Sequence, residues 1–151
     1  MPTESETGLS PAQCRDLRRI AGVMIPASEE FAVPGADDAA IFADIVGSLG
    51  RDADSVRAAL TRLAALADGA FAELDAARLA PVAQAFLSSD APEVATLGRV
   101  ILQCYYRDDR VMRSLGLEPR PPFPKGHVLE QGDWSLLDAV RARPKMWRDA
   151  P

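Results

Sequence analysis

Apolar residues recur every three or four positions along most of the chain, and no run of strand formers alternates convincingly with polar residues. The first stripe is Leu17, Ile20, Ala21 and Met24, preceded by Ser10-Pro11-Ala12-Gln13. That quartet supplies an N-cap, a proline at the first helical position and a glutamine three residues after the cap, so it predicts a helix that Pro26 limits. Pro34-Gly35 marks a turn in the loop that follows. Ile41, Phe42, Ile45 and Leu49 predict a second helix with Gly50 as its C-cap. Asp54 or Ser55 is expected to cap a third, in which Val56, Leu60, Leu63 and Ala67 face inward. Phe71 and Leu74 run into a connection, 79–87 predicts a short helix, and Pro92-Glu93 opens another. The clearest core stripe of the chain is Val94, Leu97, Ile101 and Tyr105. Residues 107–115 extend that helix or re-enter one, which stops at Gly116.

Regular helix is excluded from 117–132 by Pro119, Pro121, Pro122, Pro124 and Gly126. Asp133 is then expected to cap a last helix over 134–143, closed by Pro144. The expected fold class is therefore all-α: one compact multi-helix domain over 9–151, with a Pro-rich C-terminal loop and a short final helix, behind a disordered tail at 1–8. The chain has 151 residues, enough to bury roughly 68–70% of its unfolded surface without a metal or disulfide scaffold. The 26 alanines permit close helix approach.

Charge narrows the partners. Seventeen basic against 22 acidic side chains give a net charge of −5, which opposes nonspecific binding to nucleic acid or anionic lipid. Lys125 and Lys145 are the only lysines, an arginine bias that suits fixed bidentate contacts and that a GC-rich coding sequence also produces. No apolar run approaches the roughly 18–20 residues that span a bilayer. Arg18-Arg19 before IAGVMIPA has the look of a twin-arginine export signal, but the stretch is short and sits inside the amphipathic first helix, so a cytoplasmic location is expected.

Catalytic constellations are not evident. There is no phosphate-binding glycine loop, no HExxH and no GxSxG. Cys14 and Cys104 are too far apart in sequence for a CxxC pair and are read as packed thiols; a single histidine, His127, excludes multi-histidine metal centres. Asp37-Asp38 and Asp108-Asp109 are adjacent in sequence, and neighbours on a helix point about 100° apart, so they are read as helix N-terminal or solvated charges. His127 is conceivable as a general base, but it has no evident catalytic partner and reads better as a surface or interface contact. The C-terminal third holds Tyr105, Tyr106, Phe123, Trp134 and Trp147, five of the nine aromatics, among arginines and prolines. Such residues either form a protein–protein hot spot or pin the loop to the helices.

Three blocks together resemble a known family. Ile20-Ala21-Gly22-Val23-Met24-Ile25-Pro26 with Pro34-Gly35-Ala36-Asp37-Asp38-Ala39 resembles the "IPxD…PGA" opening of the gluconate 2-dehydrogenase subunit 3 family. Tyr105-Tyr106-Arg107-Asp108-Asp109-Arg110-Val111 to Leu115-Gly116 is similar to its "YY-x-D…V…LG" segment. Pro124-Lys125-Gly126-His127 with Trp134, Pro144 and Trp147 is similar to its "P-x-G-[YH]…W…RP-x-WR" end. The blocks span about residues 12–149 in the family's order, and Ala27-Ser28-Glu29 departs from it by lacking the usual acidic residue after "IP". The resemblance implies a non-catalytic small (gamma) subunit that binds, stabilises and helps mature a large FAD-dependent sugar or polyol dehydrogenase of the glucose-methanol-choline type. It implies FAD in the partner and no cofactor in this chain, with electrons leaving to a cytochrome c subunit or another acceptor. Tyr105, Tyr106, Arg110, Phe123, His127, Trp134 and Trp147 are then the expected partner-binding residues. Many members carry a twin-arginine signal; none is read here, so the complex is expected in the cytoplasm, or in the periplasm if a signal-bearing partner provides export. A free-standing helical ligand-binding or regulatory module is the alternative.

Overall fold

The computed structural model describes residues 8–121, 126, 128–146 and 148. These hold seven α-helices, three short 3-10 turns and no strand, so the fold is all-α. The chain divides into two units, Met1–Pro119 and Arg120–Pro151. Gly8 is the only described residue of the expected tail at 1–8.

In the first unit, α1 (Pro11–Met24) opens with the expected reciprocal cap. Ser10 Oγ accepts from the Gln13 N–H at 3.2 Å, and Gln13 Oε1 accepts from the Ser10 N–H at 3.0 Å. Leu17, Ile20 and Ala21 are buried, and so is Asp16. Arg18 lies on this helix: its Nε donates to the Asp37 carbonyl at 2.9 Å and its guanidinium stands 5.7 Å from the centre of the Phe42 ring. α2 (Ala39–Gly47) buries Ile41, Ile45 and Val46. It ends three residues before Gly50, because Leu49 turns into the core and Gly50, at φ +42°, opens the 3-10 turn Gly50–Asp52 instead of capping α2. That turn feeds straight into α3 (Ala53–Ala67), so neither Asp54 nor Ser55 caps it; Asp54 pairs with Arg57 instead. Asp68 and Gly69 close α3 in positive-φ conformations, with the Gly69 N–H reaching back to the Ala64 carbonyl at 3.0 Å.

The 3-10 turn Phe71–Glu73 occupies the expected connection and buries Phe71 completely. α4 (Ala76–Leu87) starts three residues earlier than its apolar pattern suggests, because Asp75 caps the Arg78 N–H at 2.9 Å. Pro81 consequently falls inside the helix, where it forfeits one ladder hydrogen bond. α5 (Pro92–Tyr106) buries the whole expected stripe of Val94, Leu97, Ile101 and Tyr105, together with Val100 and Cys104. α6 (Asp109–Ser114) is a re-entry after Asp108 rather than an extension of α5. α3 is the central element, packed on α1, α4 and α5, while α2 lies along α5. Among the described residues, every buried apolar one falls between Leu9 and Val111. Cys104 is inside this core and Cys14 packs half-buried against it.

In the second unit, Asp133 caps as expected, accepting from the Ser135 N–H at 3.0 Å. The last helix is shorter than its pattern: a 3-10 turn, Trp134–Leu137, runs into the single turn α7 (Asp138–Arg141). A segment this short, with none of its described side chains buried, lacks the packing that stabilises a regular helix.

Candidate functional site

Two sequence blocks far apart in the chain meet at the start of α2. The Asp38 carboxylate caps that helix, accepting from the Ala40 and Ile41 N–H groups at 3.0 and 3.4 Å. It also receives Arg110, 72 residues further on, through Nη2 at 2.7 Å and Nη1 at 3.3 Å. Arg110 donates in addition to Asp108, from Nε and Nη2 at 3.0 Å each, and Asp108 caps α6 through the Arg110 N–H at 2.9 Å. One guanidinium thus joins the caps of two helices. The Asp37-Asp38 and Asp108-Asp109 pairs were read as helix N-terminal or solvated charges, and Asp38 and Asp108 stand at helix N-termini as caps.

The loop leading to α2 is equally constrained. Ser28 and Val33 form an antiparallel bridge with both N–H···O distances at 3.0 Å, and the Ala36 N–H reaches the Ile25 carbonyl at 2.9 Å. At Gly35 a Cβ would stand 2.5 Å from Asp37 Oδ1 and 2.9 Å from the Ala27 nitrogen, so the turn needs glycine for close approach. Ala32 sits at φ +51°, beside the exposed Phe31.

A second arginine binds α5 to α2. Arg107 holds Asp44 through Nε and Nη2 and also contacts the Ser48 hydroxyl. Next to it, burial pushes the Cys104 thiol above its ordinary range, with the Ser48 hydroxyl pulling the other way. The Tyr105 and Tyr106 rings meet edge to face with centroids 5.3 Å apart. Tyr105 is 5% exposed and belongs to the core, where burial raises its phenol pKa; Tyr106, 54% exposed, presents the pair to solvent.

The electrostatics make the Arg110 cluster a clasp. Its hydrogen bonds hold the Asp38 carboxyl down at about 2 and lower that of Asp108, while the two carboxylates raise Arg110 above its ordinary value. Both acids therefore stay ionised near neutral pH and do not trade protons as an acid–base pair would. No group of three or more His, Cys, Asp or Glu residues fit to hold a metal ion occurs among the described residues. None of the described helices is long and apolar enough to cross a membrane.

Of the other expected site residues, only Trp134 is described. Trp134 is 58% exposed, in a turn whose Leu136 and Val140 are also exposed. Phe123, His127 and Trp147 lie outside the described residues. Phe31, Asp44 and Ser48 were not singled out from the sequence. Asp44 and Ser48 carry no local mark of their pairing with Arg107, some sixty residues on, and Phe31 belongs to no helical stripe. No family model, curated protein or solved structure matches the chain.

Proposed function

We propose that this chain is the non-catalytic small subunit of a heteromeric sugar or polyol dehydrogenase, binding and stabilising an FAD-dependent large subunit of the glucose-methanol-choline type. The observation that carries this reading is the Arg110 clasp. The Pro34–Ala39 block and the Tyr105–Val111 block resemble two separate motifs of the gluconate 2-dehydrogenase subunit 3 family, and here they interlock through Asp38, Arg110 and Asp108. Residues that recur together as motifs are explained if they form one structural unit. The reading also accounts for the arginines at this joint being spent on structural ion pairs, with chemistry left to the partner's FAD.

In the proposed complex this chain shields and steadies the flavoprotein, and the partner or a cytochrome c subunit handles electrons. The pair works in the cytoplasm, or in the periplasm where a signal-bearing partner takes it across. The test is affinity isolation of the tagged chain from its own cells with a visible absorbance scan. A yellow complex containing a larger chain that oxidises a sugar with an artificial acceptor is expected. A colourless monomer whose melting temperature rises with a small ligand would replace this reading with that of a free-standing module.

A further inference from the structure

Resting on the accessory-subunit reading, we infer that the second unit is the docking arm of the chain, taking its hydrophobic core from an apolar groove with a carboxylate rim on the partner protein. Every large apolar side chain described in this unit is exposed: Val128 fully, Leu136 at 75%, and with them Leu129, Trp134, Leu137, Val140 and Met146. None of its described residues is buried, whereas every buried residue described in the chain lies in the first unit. Seven large apolar side chains exposed between Val128 and Met146 are surface that gains free energy when a partner covers it.

The shape of the arm is partly set in advance. Asp133 accepts from both the N–H and the hydroxyl of Ser135, fixing the start of the turn, and Arg120 Nη2 donates to the Gly126 carbonyl at 2.7 Å. Trp134 and Leu137 stand three apart, and Leu136 and Val140 four apart, so the two consecutive turns repeat exposed apolar side chains at helical spacing. Fixing a turn before binding lowers the ordering cost of association.

Charge selects the occupant. Residues 120–151 carry six basic against four acidic side chains, and Arg141, Arg143, Lys145 and Arg148 follow one another without an intervening acid. The preceding 119 residues carry eleven against eighteen. A basic, aromatic arm on an otherwise acidic chain fits a partner surface that is apolar in the middle and acidic at its edge. A lipid surface is the poorer fit, because the irregular backbone of 128–133 needs hydrogen-bond partners that acyl chains lack.

The test is the double variant Leu136→Asp with Val140→Asp in the full chain, isolated from its own cells beside the wild type. Both side chains are exposed, so circular dichroism melting should match the wild type. We expect the wild type to bring a flavoprotein with it, the variant to lose at least about ten-fold of the flavin per chain, and salt to weaken the wild-type complex. Hydrogen exchange in residues 128–146 should slow on complex formation. A variant that keeps its flavin would overturn the docking arm while leaving the accessory-subunit reading intact. A wild type without flavin would remove both. Variant-sensitive binding to vesicles of anionic lipid, or variant-sensitive self-association by light scattering, would overturn the protein groove in favour of a membrane or a second copy.

Discussion

At the residue scale, three positions carry constraints that no neighbour can absorb. Ala32 adopts the left-handed conformation, φ +51°, which costs an L-residue roughly 1–2 kcal/mol; glycine has no such penalty but loses more chain entropy. Ala32→Gly should therefore raise stability by about 0.5–1 kcal/mol, read as a higher urea midpoint. Gly35→Ala should act in the opposite direction, lowering stability by about 1–3 kcal/mol, because the new methyl would meet the Ala27 backbone nitrogen. Asp16, 4% exposed, accepts from the Ala72 N–H at 2.8 Å and so ties α1 to the Phe71–Glu73 turn. Removing it in Asp16→Ala leaves that donor without its acceptor and should cost about 1–3 kcal/mol in the same titration, with Asp16→Asn recovering part of the loss. Periodicity placed Leu17 and Ile20 in the core but had no means of adding a carboxylate to it, since Asp16 is buried by the arrival of a turn fifty-six residues away.

At the element scale, helix ends matter most. The Ser10 box, Pro92 and the Asp133 cap were legible because capping is local: donor and acceptor lie within three residues of each other. The joint between α2 and α6 was legible only in half. Asp38 and Asp108 could be read as cap residues, but the guanidinium that joins them lies beside Asp108 and 72 residues from Asp38, so its reach to Asp38 has no local signal. Its pH signature follows from the depressed acids. Asp38 falls from an ordinary 3.8 to about 2 in the folded state, so its ionised form contributes stability that is present above about pH 4 and lost as pH drops towards 2. Asp108, lowered in the same direction, adds to that loss. Thermal melts of the wild type should therefore steepen in their pH dependence below 4, and Arg110→Met should flatten that slope. Near neutral pH the same variant should cost only about 0.5–1.5 kcal/mol, because these ion pairs are partly solvated.

At the scale of the whole molecule, the two units differ in what holds them. The first is built round α3 and has a buried apolar core, while the large apolar side chains described in the second are exposed. Both tryptophans lie in the second unit. In a Trp147→Phe chain, Trp134 alone should emit at long, water-like wavelength in the native state and shift little through an unfolding transition that circular dichroism sees as cooperative. A blue-shifted native emission would contradict the exposure of Trp134.

What the sequence determined by itself was the class and sites of the helices of the first unit, for a physical reason: a 3.6-residue period and a capping side chain act within one or two turns, so their record is local. Tyr105 illustrates its reach, since the period put the ring in the α5 stripe and the ring is indeed buried there. Tertiary structure alone decided that Arg107 pairs with Asp44 and that Arg110 reaches Asp38. Those pairings depend on distances between segments sixty or more residues apart, a quantity that is not written in any one stretch of chain.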